Sequence, residues 1–453
     1  MSLYSTLLRN TAQRLLLVRE QKHAAMAQWK FLLKSQYWPR QRLLDYQWQR
    51  LSEMLKHAYD TTAYYRRVFD ERGLTPDSFK SVDDLRKLPV LTRDLIDAHR
   101  TDLISSKFTE EHLQVFGTGG TTTRRLTLYR DKIGATMKQA VAWRFEGFMG
   151  QMPGDKVSIF WPPHIDFHHH HSWLTHVKDR YLQRMQLFYT GGATADTLER
   201  FYRDFRSFGP RYIKCFPGGL LAFTEYALAR QLPLEKVKGI MSTGEMLYPS
   251  MRELFERAYQ APVYDMYGSR EVGNTSCECR AHEGHHIAAE IAVVEFVRDG
   301  IPVGPGEDGE ILVTDLTNYG FPMIRYELSD VGRPLEATCS CGRSLPLMTA
   351  GVGRLSDFYV ALDGTRRSGL VLGVQITETG PPMGKTQIIQ RTLTDWHVKI
   401  TNDPPATPEL QEHIRTCIKN LIGEAVTVSI EIVDDIPPEK SGKLRYFKCE
   451  IPS

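Results

Sequence analysis

Val263-Tyr264-Asp265-Met266-Tyr267-Gly268-Ser269-Arg270-Glu271 is a short β-rich run that ends in a turn carrying a carboxylate. Upstream lie three similar runs, Val157-Ser158-Ile159-Phe160, Tyr212-Ile213-Lys214-Cys215-Phe216 and Gly239-Ile240-Met241. Amphipathic helical stretches separate them, one with Leu198, Phe201, Tyr202, Phe205 and Phe208, another from Met251 to Tyr259. Strands alternating with helices in this way predict an α/β architecture with crossover connections. Further upstream, Leu44, Trp48, Leu51, Leu55, Ala58 and Tyr59 recur at helical spacing between Gln41 and Arg72, so residues 1–105 read as mostly helical. Gly73 and Pro76 break that pattern. Beyond Asp357 the texture is that of a compact α+β unit. It has a strand-like stretch from Gln387 to Ile400, a helix with Leu410, Ile414, Ile418 and Leu421, and a period-2 strand through Val426, Val428, Ile430 and Ile432. The expected domains are 1–356 and 357–453.

Composition narrows the class of partner. The chain has 453 residues, 42% hydrophobic and 25% charged, and 57 basic against 54 acidic residues give a net charge of +3. Those values fit a soluble globular protein and supply no electrostatic footprint for nucleic acid. No run of about 18 or more apolar residues suggests a membrane span. The amphipathic start, Met1 to Glu20, is interrupted by Arg9, Arg14 and Arg19 and lacks a small-residue cleavage site, so no secretory signal is expected. It reads as a helix packed on the protein, with weak membrane-surface contact as the alternative, and the chain as cytoplasmic. The seven cysteines are an odd number, yet four fall in the pairs Cys277/Cys279 and Cys339/Cys341.

Three motifs carry chemistry. Gly117-Thr118-Gly119-Gly120-Thr121-Thr122-Thr123-Arg124-Arg125 offers glycines for close backbone approach, hydroxyl donors and cations, all suited to phosphate; no Gly-Lys-Ser/Thr follows, so it is not a Walker loop. In the opening stretch, the Tyr267 face can stack on a base and Glu271 can hold Mg²⁺ between phosphate oxygens. In Pro437-Pro438-Glu439-Lys440-Ser441-Gly442-Lys443-Leu444-Arg445, Gly442 lets Lys443 act as a mobile charge for a developing anion. Taken singly, each reads as an ordinary turn or surface lysine.

The ordered set resembles the superfamily of adenylate-forming enzymes, most closely its phenylacetate–coenzyme A ligase-like division, which includes the capsular-polysaccharide-biosynthesis branch. Thr118, Gly119, Gly120, Thr121 and Thr122 fall on the family's phosphate loop, and Tyr267, Gly268 and Glu271 on its Y-G-x-x-E motif. Ser242-Thr243-Gly244-Glu245 is similar to the adenine-side loop. Leu316 to Tyr326 leads to Asp330, at the place of the ribose carboxylate. Arg354 and Asp357 resemble the family's arginine and hinge, and Lys443 its adenylation lysine. His57-Ala58-Tyr59 and Tyr64-Tyr65-Arg66 extend the likeness towards the N-terminus. The resemblance implies a large N-terminal adenylate-forming domain and a small α+β C-terminal domain joined by a hinge. It also implies ATP and Mg²⁺, a carboxylic acid converted to its acyl-adenylate, and transfer to a thiol of coenzyme A or of a carrier protein. Four positions depart from the pattern: Thr123 replaces a glycine, Arg124 and Arg125 replace small or Lys/Pro neighbours, and Arg270 replaces Thr or Ser.

Cysteine and histidine suit a tetrahedral zinc set, and the resemblance implies a structural zinc within 277–341 on Cys279, His286, Cys339 and Cys341. Cys277 and His285 compete for two of those places. Cys215, Cys417 and Cys449 read as inert thiols. His168 to His171 lie where relatives build the acyl pocket; a substrate-facing wall, a metal site and plain surface are all open for them. His168, Phe216 and Gly218 are the pocket candidates. Two other functions compete: adenylyl transfer to a hydroxyl, and a silent zinc-containing scaffold. The identity of the acid and the oligomeric state stay open at this level.

Overall fold

The computed structural model describes residues 23–117, 126–161, 178–190, 194–354, 358–362, 366–368, 380–381, 383–402, 404–437 and 446–451, with Leu372 and Ile376. Helices α1 (His23–Ser35), α2 (Arg40–Thr61), α3 (Ala63–Asp70) and α4 (Arg93–Ala98) form the N-terminal part. The single helical run of the sequence is two helices here. Thr62 is extended, and its hydroxyl accepts the Tyr65 amide, which ends α2 and caps α3. The face of α2 that carries Leu43, Leu51, Leu55 and Ala58 is buried in the main core.

A hairpin of β1 (Gln114–Gly117) and β2 (Thr127–Arg130) flanks residues 118–125 and leads through the Asp131 cap into α5 (Lys132–Glu146). The alternating segment follows: β3 (Val157–Trp161), β4 (Met185–Tyr189), α6 (Ala195–Phe208), β5 (Tyr212–Cys215), α7 (Pro217–Ala229), β6 (Ile240–Thr243), α8 (Pro249–Tyr259) and β7 (Val263–Ser269). Meander strands continue it: β8 (Gly273–Glu278), β9 (His285–Ile287), β10 (Ala292–Arg298), β11 (Ile301–Pro302), β12 (Gly309–Asp315), β13 (Tyr326–Leu335) and β14 (Leu347–Arg354).

These strands form one 12-stranded sheet in the order β11-β10-β12-β13-β14-β9-β8-β7-β6-β5-β3-β4. From β7 to β4 every pairing is parallel, and from β7 to β11 every pairing is antiparallel. β7 is therefore the seam of the sheet. The parallel half needs cover on its faces. Phe160, Phe188, Phe205, Phe223 and Tyr259 pack as an aromatic cluster between it and α6, α7 and α8.

The C-terminal residues build their own core. After the short pair β15 (Phe358–Val360) and β16 (Arg366–Ser368) come β17 (Thr386–Gln390), β18 (Asp395–Thr401), α9 (Pro408–Ile422), β19 (Thr427–Val433) and β20 (Phe447–Cys449). The sheet order is β19-β18-β17-β20, and Trp396, Val398, Leu410, Ile414, Ile418 and Phe447 fill the space under α9. The stretch Gln387 to Ile400 is two antiparallel strands, not one, because residues 391–394 turn the chain back. Of the period-2 residues, Val426 just before β19 is buried, Val428 and Ile430 are half-buried and Ile432 is exposed.

Candidate active site and metal centre

The seam strand delivers Tyr267, Gly268 and the turn bearing Glu271 to one place. Tyr267 Oη donates to Asp330 Oδ2 at 2.9 Å, which joins the end of β7 to β13. Across β13–β14 the backbone of Asp330 is in register with that of Arg354. Gly268 is required by space. A Cβ there would lie 2.5 Å from the Gly273 carbonyl oxygen and 2.6 Å from Asn274 Cα, on the facing strand of the hairpin. Beside Glu271 stands the buried Tyr326, whose phenol is pushed well above its usual range by burial and then by the neighbouring carboxylate, to which it is hydrogen-bonded.

Under the β1–β2 hairpin lies a cleft of about 260 Å³ lined by Phe116, Arg130, Lys138, Ser269, Arg270 and Asn274. Three cations in one small concavity suit an anion. Arg130 sits 4.2 Å over the Phe116 ring. Lys138 donates to Asp315 Oδ2 at 2.8 Å in a pair with 9% and 2% side-chain exposure. Burial pushes Lys138 down to about 8, against the pull of Asp315.

A second constellation sits at the C-terminal ends of β5 and β6. Gly244 has φ +77°, and a side chain there would run into the Phe216 ring at 2.3 Å. Glu245 Oε2 accepts the Gly218 amide at 3.0 Å, and Phe216 meets Trp161 edge-on with centroids 4.5 Å apart. The adenine-side candidates Gly244 and Glu245 and the pocket candidates Phe216 and Gly218 are thus neighbours. Ligands of open α/β sheets bind beyond the carboxyl ends of the strands, which is where these residues stand.

On the antiparallel side, Cys279, His286, Cys339 and Cys341 bring four donor atoms within 4.8 Å of one another. Cys279 Sγ lies 3.5 Å from Cys339 Sγ, and Cys341 Sγ lies 3.4 Å from His286 Nε2. A tetrahedron with metal–sulfur bonds of about 2.3 Å has edges of about 3.8 Å, close to these separations, whereas a disulfide needs about 2.05 Å. The donor set fits zinc. The two competitors point elsewhere: Cys277 Sγ contacts the Glu278 carbonyl, and His285 Nε2 lies 3.5 Å from Asp265. Adjacent residues of a strand face opposite sides, so β9 can present only one of its two histidines to the cluster.

Phenylacetate-coenzyme A ligase of Escherichia coli (strain K12) is 30% identical over 334 residues, which cover 69% of this chain and 71% of that protein. The chain belongs to the phenylacetate–coenzyme A ligase family. It is accordingly an AMP-forming acid–thiol ligase. Residues 367–450 match the CapK C-terminal domain family, and Protein CapK of Staphylococcus aureus is 22% identical over 413 residues, 89% of this chain and 88% of that one. The fold is similar to that of 2-hydroxyisobutyryl-CoA ligase in complex with 2-HIB-AMP, with a TM-score of 0.71, 19% identity, and coverage of 89% and 88%. Like those ligases it pairs a large α/β N-terminal domain with a small α+β C-terminal one.

Within this ligase, several expected site residues lie outside the described residues: Thr118, Gly119, Gly120, Thr121 and Thr122 of the phosphate loop, His168, Asp357 and Lys443. For Arg354 only the backbone is described. Sequence reasoning missed Arg130, Lys138, Asp315 and Tyr326. Arg130 and Tyr326 adjoin recognised motifs and could have been flagged, but a lysine within α5 and an aspartate ending β12 carry no local signal. Among the described residues no helix is long and apolar enough to cross a membrane.

Proposed function

We propose that this ligase activates a carboxylic acid with ATP and passes the acyl group to coenzyme A. The supporting observation is the meeting of Tyr267 with Asp330 one turn away from Glu271, beneath the hairpin that carries the Gly/Thr loop. A carboxylate oxygen of the acid attacks the α-phosphorus, the bond to the bridging oxygen breaks, and pyrophosphate leaves. The coenzyme A sulfur then attacks the acyl carbon, its proton goes to solvent, and AMP departs. Thr118, Gly119, Gly120, Thr121 and Thr122 cradle the β- and γ-phosphates. Tyr267 and Gly268 cover the adenine with Gly244 and Glu245, and Asp330 accepts the ribose hydroxyls. Lys443 neutralises the charge that crowds at the α-phosphate. Arg354 supports the nucleotide, and Asp357 is the hinge between domains 1–356 and 357–453. Phe216, Gly218 and His168 line the acyl pocket.

Mg²⁺ held by Glu271 supplies charge neutralisation at the phosphates. Cys279, His286, Cys339 and Cys341 hold a structural zinc, since four protein donors leave no open position for chemistry. The setting is the cytoplasm, where coenzyme A and reduced thiols are available. A carrier-protein thiol is the alternative acceptor. The test is pyrophosphate release over a panel of carboxylic acids, with and without coenzyme A. Release with a particular acid, and thioester formation only when coenzyme A is added, is the expected result. If no acid stimulates release the proposal fails, and release without thioester moves the acceptor to a carrier protein or a hydroxyl.

A further inference from the structure

The turn that bears Glu271 is held from behind. Ser269 and Gly273 are the last paired residues of the β7–β8 hairpin, and residues 270–272 close it. Arg130 Nη2 donates to the Arg270 carbonyl at 2.9 Å and to the Glu271 carbonyl at 3.1 Å. Lys138 Nζ donates to the Val272 carbonyl. Three successive carbonyls are therefore each taken by a cation that comes from another part of the chain, β2 or α5.

The two cations are themselves fixed. Phe116 lies against the Arg130 guanidinium. Lys138 is paired with Asp315, and Asp315 Oδ1 accepts both the Thr317 amide at 2.9 Å and the Thr317 hydroxyl at 2.6 Å. Gly273 makes room for this packing, since a Cβ there would stand 2.7 Å from Lys138 Cδ. Burying a lysine costs stability, and burial already draws its pKa down to about 8. A helix side chain needed only for packing would do better as an apolar residue, so the buried charge points to a task at the turn.

We propose that Arg130 and Lys138 are positioning residues for adenylation: they clamp the 270–272 turn so that the Glu271 carboxylate is preset for the Mg²⁺ of Mg·ATP. The clamp rests on the reading of Glu271 given above. Outer residues that orient a metal-binding side chain are worth about 10–100-fold in metal affinity or activity.

Equilibrium binding to the full chain tests this without knowledge of the acid. The readout is the gain in ATP affinity on going from EDTA to Mg²⁺, with AMP as a metal-independent control. Arg130→Gln and Lys138→Met should each lose about tenfold of that gain, with AMP affinity near that of the wild type; Lys138→Met leaves Asp315 buried without its cation and should melt earlier, so Lys138→Met combined with Asp315→Asn carries the test if the single variant does not fold. Arg130→Lys keeps the charge but cannot span both carbonyls, so it should fall between, and it carries the test if Arg130→Gln does not fold. Variants that keep the full Mg²⁺-dependent gain overturn the clamp alone. Equal losses of AMP and Mg·ATP affinity overturn it in favour of a general structural role. A wild-type protein whose ATP affinity ignores Mg²⁺ overturns the reading of Glu271 and the clamp together.

Discussion

Replacing Gly268 by alanine should separate folding from catalysis in this ligase. The added methyl would stand 2.5 Å from the Gly273 oxygen and 2.6 Å from Asn274 Cα, both backbone atoms that cannot rotate aside. To reach the 3.4 Å at which ordinary contact begins, the facing strand must withdraw by about 0.9 Å. That displacement falls between Tyr267 and Glu271, the residues proposed to hold the adenine and Mg²⁺. A misplacement of about 1 Å at reacting groups costs about 10²-fold in rate, or about 2.7 kcal/mol of barrier. The assay is ATP–pyrophosphate exchange with whichever acid gives the largest release, alongside urea denaturation. Gly147→Ala is the control, since a Cβ there meets nothing within 4 Å. Exchange should fall about 10²-fold in Gly268→Ala and stay unchanged in Gly147→Ala. A Gly268→Ala enzyme with near-normal exchange would refute the argument that backbone proximity fixes this hairpin.

Lys443→Ala should lower pyrophosphate release by about 10²–10³ while Mg·ATP still binds, and near-normal release removes this lysine from the adenylation step. Metal analysis of the purified protein should find one zinc per chain, with Cys339→Ser losing the metal and melting earlier; a wild type free of zinc, or a Cys339→Ser variant that keeps it, rejects the metal centre. Arg144 and Glu290 form a fully buried pair at 2.7 Å, with Arg144 Nε and Nη2 and Glu290 Oε2 left without hydrogen-bond partners among the described residues. Arg144→Met or Glu290→Met alone should cost about 3–5 kcal/mol in urea titration, while the double variant recovers most of it; equal losses in single and double variants would contradict this.

The proposed nucleotide motifs could be named from the sequence because they are local. Tyr267, Gly268 and Glu271 lie within five residues, and a strand followed by a tight turn needs few partners to be recognised. The alternation of apolar runs and amphipathic helices likewise foretold β3, β5, β6 and β7, since period and burial are written along each segment. Thr62 was less legible: it looks like one more residue of a long helix until its hydroxyl is seen to cap Tyr65. Between Cys277 and Cys279, and between His285 and His286, spacing could not choose. His285 and His286 face opposite sides of β9, so the side turned to Cys339 and Cys341 decides between them, whereas Cys277 lies within β8 and Cys279 just beyond its end, beside Cys339.

By itself the sequence determined the fold class, the order of the motifs proposed for the nucleotide and the chemical types of the candidate metal donors, because each is encoded in short-range patterns. Only the tertiary structure decided that β7 is the seam of the sheet, that Asp330 meets Tyr267 across 63 positions, and that Arg130, Lys138 and Asp315 back the Glu271 turn. Those relations depend on strand order and on charges buried between distant elements. Burial and pairing between remote segments are properties of the folded chain, and no local pattern records them.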